Sequence, residues 1–411
     1  MSRPVQSDEQ TVERVLDAFA RTTDEIVTLD ELRERLRSGR QIRIKYGVDV
    51  TAPMMHIGHA VNLWMMRELQ ELGHKVVFLI GDFTTRIGDP TGRDQLRPVI
   101  GEEEIASNAE AFIEQVGKVL LTDEDVVEIR RNSEWFDDFP TSRFLSLMEM
   151  VTHERLLSRD MFRKRIEEGA GLYMHELTYP IIQGYDSVAL DSDLTIVGSD
   201  QLFNEMMGRF YQERFGQPPQ VIITTKVTPG IDGKQKQSKS LGNYIGLDHD
   251  AREKFGRVMS IPDTLIASYL EVYTGLADER VAELAALAET DPMEAKKVLG
   301  QGIVERYHGE EAAAAERRWF EEVFSKGREP EGIEERTFGE APATAFDLAR
   351  ACLDPGGHSN SDIRRLFQQG AVKLDGEKLA DFSAPVALSR EGSTLRLGKR
   401  IWFKVRLADA T

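Results

Sequence analysis

The chain has 411 residues, 41% of them apolar, and its 52 Lys and Arg against 70 Asp and Glu give a formal net charge of −18. That length and apolar content support a core shared among two or three domains, while the acidic balance excludes a surface that binds nucleic acid everywhere. The single cysteine, Cys352, excludes an internal disulfide and a thiolate metal cluster, and with neither an apolar leader nor a run near the roughly 18 apolar residues of a membrane span, a cytoplasmic protein without membrane association is expected.

Residues 41–50, QIRIKYGVDV, alternate apolar Ile42, Ile44, Tyr46 and Val48 with polar neighbours, the period of a strand. The chain then turns through APMMHIGH, where His56 and His59 flank an Ile-Gly pair. From His59 onward Val61, Trp64, Met65, Leu69 and Leu72 recur at three- and four-residue steps as far as Gly73, which predicts an amphipathic helix. KVVFLIGD (75–82) is a short continuous apolar run, the pattern of a buried parallel strand. Strand, loop, helix and strand in this order make a βαβ unit. LTIVGSDQ (194–201) and PQVIITTK (219–226) repeat the buried-strand pattern. An α/β architecture follows, with a doubly wound, Rossmann-like parallel sheet that takes ligands at the carboxyl ends of its strands.

His56 and His59 fall between the first strand and the next helix, the usual seat of an anion in such a sheet. Gly58, lacking a Cβ, lets a flat purine or a phosphate approach the backbone, and imidazoles can donate to phosphate oxygens. No acidic or Cys ligand set accompanies the two histidines in sequence, so no metal site is expected. DGKQKQSKSLGN (232–243) gathers Lys234, Lys236 and Lys239 with Ser238, Ser240 and two glycines, a flexible cationic stretch suited to a polyphosphate.

The residues beyond it, to Phe324, read as amphipathic helices with charged outer faces. Residues 325–344, rich in Gly, Pro and charge, read as a linker. NSDIRRLFQQGAVKLDGEKL (360–379) predicts a basic helix carrying Arg364 and Arg365, a Gly turn and a short strand, and STLRLGKRIWFKVRL (393–407) completes a small sheet. Residues 358–407 hold ten Lys and Arg against five Asp and Glu, a net of +5, so −18 minus +5 leaves −23 on the remainder. A compact basic module on an acidic body suits local contact with nucleic acid.

HIGH (56–59) and KQSKS (236–240) resemble the two signature motifs of class I aminoacyl-tRNA synthetases. GDFTTRIGDPTGR (81–93), YPIIQGYDS (179–187) and VGSDQLFN (197–204) look like the tyrosyl-tRNA synthetase family of bacterial type, and the resemblance spans almost the whole chain. It implies activation of L-tyrosine by ATP to tyrosyl-adenylate, then transfer to the terminal ribose of tRNA(Tyr), with Mg²⁺ travelling on ATP and no tightly bound cofactor. In that family a Tyr-x-x-x-Gln-x-x-Asp pattern lines the amino-acid pocket, which here is Tyr179, Gln183 and Asp186. Asp186 would accept from the substrate phenol, Asp89, Tyr179 and Gln183 would hold the α-ammonium group, and Gln201 would lie near the carboxylate. His56, Thr51, Lys236 and Lys239 would face the departing phosphates, with Arg93 and Arg97 on a basic loop that closes on pyrophosphate. His59 and Asp200 would address the ribose, Gly47 and Asp49 the adenylate phosphate and its surroundings, and Gly58, Gly198 and Ser240 complete the ATP site.

The resemblance also implies a homodimer, and a domain order of catalytic domain (1–230), second signature loop with helical anticodon-side domain (231–324), linker (325–344) and small α+β RNA-binding domain (345–411). Arg364, Arg365, Lys399 and Arg400 would meet tRNA phosphates. Three positions depart from the common pattern: Lys45 stands where many relatives place a phenol-contacting Tyr and would bind tyrosine by donating to the phenol oxygen, Val197 replaces a Gly, and Gln237 replaces the Met of the second motif. A tRNA-independent enzyme adenylating a tyrosine analogue would have no use for the basic module. An RNA-binding cofactor derived from a synthetase should have lost His56, His59, Lys236 and Lys239, which are all present.

Overall fold

Six strands form the sheet that organises the first part of the molecule: β1 (Thr23–Val27), β2 (Arg43–Val48), β3 (Lys75–Ile80), β4 (Val127–Arg131), β5 (Leu194–Gly198) and β6 (Val221–Thr225). Their order is β1-β6-β5-β2-β3-β4, with β1 antiparallel to β6 and every other neighbour parallel. The strand expected from alternation and the three expected from apolar runs are present. The two sheet edges, β1 and β4, were not predicted, because neither contains a buried residue and so neither carries an apolar run. The computed structural model describes residues 3–90, 100–238, 241–325, 333–353, 359–398 and 401–408, in two compact units, Met1–Arg317 and Arg318–Thr411.

Strand periodicity assigns the faces of β2. Ile44 and Tyr46 enter a large core with Leu63, Met66, Phe78, Leu194 and Ile223, whereas Lys45 and Gly47 point to the other face. That other face is covered by two helices, α2 (Met174–Ala189) and α3 (Leu202–Arg214), packed over a core of Ile181, Tyr185, Met207 and Tyr211. On the first face, α1 (Ile57–Glu71) starts two residues before the position expected from its apolar spacing.

The residues expected as a separate helical domain share a core with α1. Ile57 and Val61 pack with Val258, Ile266, Tyr269, Leu270, Tyr273, Leu299 and Ile303. In the second unit, β7 (Glu334–Phe338), β8 (Val372–Leu374), β9 (Glu377–Lys378), β10 (Ser393–Leu397) and β11 (Ile401–Leu407) lie in the order β7-β11-β10-β8-β9. Helices Ala345–Cys352 and Asn360–Gln368 pack on this sheet through Leu348, Cys352, Ile363 and Phe367. β7 corrects the sequence expectation, since it lies inside the stretch read as a linker and pairs in parallel with β11. Its sequence, EERTF, is mostly exposed and charged, as an edge strand tolerates.

Helices α2 and α3 approach closely at two glycines. A Cβ on Gly184 would lie 2.9 Å from the Tyr211 ring and 3.0 Å from the Met207 carbonyl, and one on Gly208 would lie 2.5 Å from Ser187 Oγ. Helix propensity alone favours Ala over Gly by about 1 kcal/mol, whereas overpacking costs about 1–3 kcal/mol, and the backbone carbonyl cannot rotate away. Gly184→Ala is therefore expected to lower the denaturation midpoint despite its better propensity, as read by urea unfolding followed by circular dichroism.

Candidate functional site

Strand order reverses between β2 and β5, and the carboxyl ends of these two neighbours open a crevice. From β2 come Gly47, Asp49 and Thr51, and from β5 come Gly198, Asp200 and Gln201. Gly47 is exposed, and a Cβ there would make only an ordinary 3.6 Å contact with Leu79. Packing does not demand glycine at that point, so its absent side chain leaves room over the strand end. Asp49 is held by two hydroxyls, Thr84 Oγ1 donating to Oδ1 at 2.8 Å and Tyr179 Oη donating to Oδ2 at 3.0 Å. Gln201 Nε2 donates to Asp89 Oδ2 at 2.9 Å, and the same aspartate faces the Arg159 guanidinium at 4.0 Å.

At the inner end of the crevice Asp186 is 3% exposed. Trp135 Nε1 donates to its Oδ1 at 3.0 Å and Asn132 Nδ2 to its Oδ2 at 3.4 Å. Burial raises its carboxyl to about 8, against the lowering effects of the Lys45 charge and of these two donors. Lys45 is as deeply buried. Its ammonium donates to Glu205 Oε2 and to Ser187 Oγ, both at 2.8 Å, so this departure from the family pattern is matched by a buried carboxylate. Gln183 Nε2 donates to Glu205 Oε1 at 3.1 Å.

Nearer the mouth, the His56 and His59 rings lie 3.9 Å apart, and the His56 backbone N–H donates to His59 Nδ1 at 3.2 Å. His56 Nδ1 is buried with no hydrogen-bond partner among the described residues. A Cβ on Gly58 would fall 2.9 Å from that nitrogen, so any larger residue would displace the His56 ring. Burial, then the nearby Lys236 charge, lowers His59 to about 4, and burial holds His56 well below the ordinary imidazole value. Both are neutral near pH 7 and can present one donor and one acceptor nitrogen each.

The segment that follows the second motif is tied to the first motif by backbone. Ile57 N–H donates to Ile245 carbonyl at 2.9 Å and Leu247 N–H to Met55 carbonyl at 3.0 Å. Gln237 is 5% exposed, its Nε2 donating to Tyr273 Oη at 2.9 Å and its Oε1 accepting from Ile245 N–H at 3.1 Å. The Met-to-Gln departure thus anchors the loop to the helical region. Lys236, beside it, is exposed and pairs with Asp200 at 3.0 Å.

The structure thus gathers Lys45, Gly47, Asp49, Thr51, His56, Gly58, His59, Asp89, Tyr179, Gln183, Asp186, Gly198, Asp200, Gln201 and Lys236 along or beside the crevice. Arg93, Arg97, Lys239, Ser240, Lys399 and Arg400 lie outside the described residues. Arg364 and Arg365 belong to the second unit. There Arg364 lies 5.6 Å over the Phe346 ring and Arg365 pairs with Asp362. Val197 is buried in β5. Sequence reasoning missed Asn132, Trp135, Arg159 and Glu205. Asn132 and Trp135 follow β4, which itself went unpredicted, and Glu205 was detectable only as a lone carboxylate within the apolar run of α3.

The profile of the tRNA synthetases class I (W and Y) matches residues 37–325. The chain is 40% identical over 399 residues to a tyrosine–tRNA ligase of Oleidesulfovibrio alaskensis, covering 96% of this chain and 99% of the relative. It is 42% identical over 400 residues to that of Moorella thermoacetica, covering 95% of each. Its fold is similar to a C-terminally truncated mitochondrial tyrosyl-tRNA synthetase of Aspergillus nidulans, with a TM-score of 0.62 and 24% identity over 77% of this chain and 95% of that one. The Archaeoglobus fulgidus tyrosyl-tRNA synthetase complexed with L-tyrosine aligns with a TM-score of 0.58 and 21% identity, covering 74% of this chain and 99% of that one.

The imidazoles carry a stability signature. Burial lowers His59, and also the wholly buried His74, from 6.5 to about 4. Between these values the unfolded chain binds more protons than the folded one, so stability falls as pH falls. The contribution is complete above about 6.5 and lost towards 4. Urea midpoints are expected to be flat from pH 7 to 8 and to drop between pH 6.5 and 4.5, with a shallower drop in His74→Gln.

Proposed function

The chain belongs to the class I tyrosyl-tRNA synthetases, and on that premise we propose which of its residues carry the reaction of a tyrosine–tRNA ligase. In the first step an oxygen of the tyrosine carboxylate attacks the α-phosphorus of ATP. The bond to pyrophosphate breaks, leaving tyrosyl-adenylate. In the second, a hydroxyl of the tRNA terminal ribose attacks the acyl carbon and AMP departs. No protein nucleophile takes part, so the enzyme acts by positioning and by stabilising charge on the phosphates, at about 2.7–4 kcal/mol for each donor that tightens in the transition state.

The observation that supports this reading is the backbone pairing of residues 55–57 with 245–247, which, with Gln237 accepting from Ile245 N–H, brings the first motif close to Gln237 beside a crevice that ends at Asp186. Tyrosine lies inward, its phenol on Asp186 and its α-ammonium among Asp89, Tyr179 and Gln183, with Gln201 near the carboxylate. ATP lies outward over Gly47, Gly58 and Gly198. His56, Thr51, Lys236, Lys239, Arg93 and Arg97 face the phosphates, with Ser240 beside them. His59 and Asp200 face the ribose, and Asp49 the adenylate. Lys236 must leave Asp200 to reach a phosphate. That pair has side chains 58% and 35% exposed, where such a contact contributes about 0–1 kcal/mol, so the exchange is cheap.

Mg²⁺ enters with the phosphates of ATP and keeps much of its water, as this ion does at nucleotide sites. Arg364 and Arg365, both exposed, and Lys399 and Arg400 meet the phosphates of tRNA(Tyr). The protein acts as a cytoplasmic homodimer. Ile129 on edge strand β4 and Leu145 are 47% and 58% exposed, large apolar side chains that a partner would cover. Among the described residues no helix is long and apolar enough to cross a membrane.

ATP/pyrophosphate exchange measured with each of the twenty amino acids tests the activity, and tyrosine alone should support it. The phenol donates more strongly to an ionised Asp186 than to a protonated one, and that carboxyl is raised to about 8. KM for tyrosine should therefore fall as pH rises from 7 to 9. Asp186→Asn should flatten that profile and reduce the preference for tyrosine over phenylalanine by roughly a hundredfold or more. An equal fall in the activation of both amino acids would make Asp186 structural.

The basic module is tested by a chain that ends at Ser325, ahead of β7, so that no strand of the second sheet is left behind. It should form tyrosyl-adenylate at close to the full-length rate but aminoacylate tRNA poorly. Full-length enzyme should lose the same advantage as salt rises. Equal aminoacylation by both proteins at low and high salt would assign the module another role.

A further inference from the structure

Glu205 lies behind the amino-acid pocket and carries no role in the assignments above. Its carboxylate is 2% exposed and accepts three donors: Lys45 Nζ and Gln220 Nε2 on Oε2, each at 2.8 Å, and Gln183 Nε2 on Oε1 at 3.1 Å. Two of these donors belong to the tyrosine pocket. The Gln183 contact has a directional consequence. An amide has one donor end and one acceptor end, and a carboxylate can only accept, so Glu205 fixes Gln183 with its NH₂ turned inward. The opposite end, Gln183 Oε1, is buried and has no hydrogen-bond partner among the described residues. A buried acceptor left unmet is destabilising, and a substrate ammonium is a donor that would satisfy it.

We propose that Glu205 is a positioning residue for tyrosine: it orients the Gln183 amide so that its oxygen faces the substrate ammonium, and it holds the Lys45 ammonium at the pocket floor beside Asp186. The proposal deepens the tyrosine-activating reading and rests on it. Glu205 touches neither substrate nor reacting atoms, and its effect passes through Gln183 and Lys45. Helix α3 supplies the rigidity, since Gly208, one turn further along, brings that helix close enough to Ser187 for Lys45 to reach both Ser187 and Glu205.

Glu205→Gln keeps the volume and removes the charge. Its amide can turn its own NH₂ towards Gln183, which then reverses and presents a donor to the substrate ammonium. In pyrophosphate exchange, KM for tyrosine is expected to rise at least tenfold, with kcat within about threefold of the parent and KM for ATP unchanged. Thermal stability should also fall, because Lys45 loses its partner in a buried site. The double variant Lys45→Met with Glu205→Gln removes both charges together and separates the two effects. Its melting temperature should recover while KM for tyrosine stays raised. A parental KM in Glu205→Gln would overturn the proposal. So would a double variant whose KM recovers with its stability, for then Glu205 would serve only to balance charge. Absence of tyrosine-dependent exchange in the unaltered enzyme would remove the activity reading itself, an outcome distinct from either of these.

Discussion

The reversal of strand order between β2 and β5 is the constraint on which the first unit depends. The chain leaves β2 towards β3 and β4 and leaves β5 towards β6, so the helices that follow the two central strands diverge and cannot close over their shared carboxyl ends. Every residue that ends β2 or β5 is thereby set at a crevice by topology, before any side chain is chosen. Strand pleating then divides the work. Ile44 and Tyr46 build the core on one face, and the alternate positions Lys45 and Gly47 serve the other, one as the pocket floor and one as empty space above it.

The two ends of the crevice are built on opposite electrostatic terms. At the floor, the side chains of Lys45 and Glu205 are each 2% exposed and 2.8 Å apart, and removing either partner from a pair so buried costs about 3–5 kcal/mol. That end is held rigidly, as the proposed recognition of a phenol and an ammonium by groups that need not move requires. At the mouth, Lys236 is exposed and Asp200 partly so, and their attraction is comparable to thermal energy. That end can trade partners when a polyphosphate enters. A single sheet therefore supports a rigid inner site and an exchangeable outer one.

How much of this was legible in the sequence depended on whether the determining contacts were local. Three of the central strands, β3, β5 and β6, carry continuous apolar runs because both of their faces are covered, and β2 is legible from its alternation. β1, β4 and β7 lie at sheet edges, have little or nothing to bury and so left no pattern. Asp186 and Gln183 were found through a motif confined to one helix. The partners of Lys45 could not be found that way, because Ser187 and Glu205 lie 142 and 160 residues further along the chain. Lys45 was recognisable as a departure, and its compensation was not. Gln237 is similar, since a substitution within a signature loop reads as a weakening until Tyr273 and the Ile245 amide are seen to meet it.

The small second sheet has one property that concerns synthesis more than function. Its final strand, β11, is not an edge but lies between β7 and β10, pairing with β7 in parallel and with β10 in antiparallel. The first strand of that sheet must therefore wait, unpaired, for the last. When the first unit has left the ribosome the residues that complete the second sheet are still to come, and β7 emerges about seventy residues ahead of the strand it pairs with among the described residues. Completion of the second sheet consequently waits until β11 has emerged. A polypeptide that stops before Ile401 would keep a finished first unit and carry an open sheet, with β7 and β10 each presenting an unmet edge.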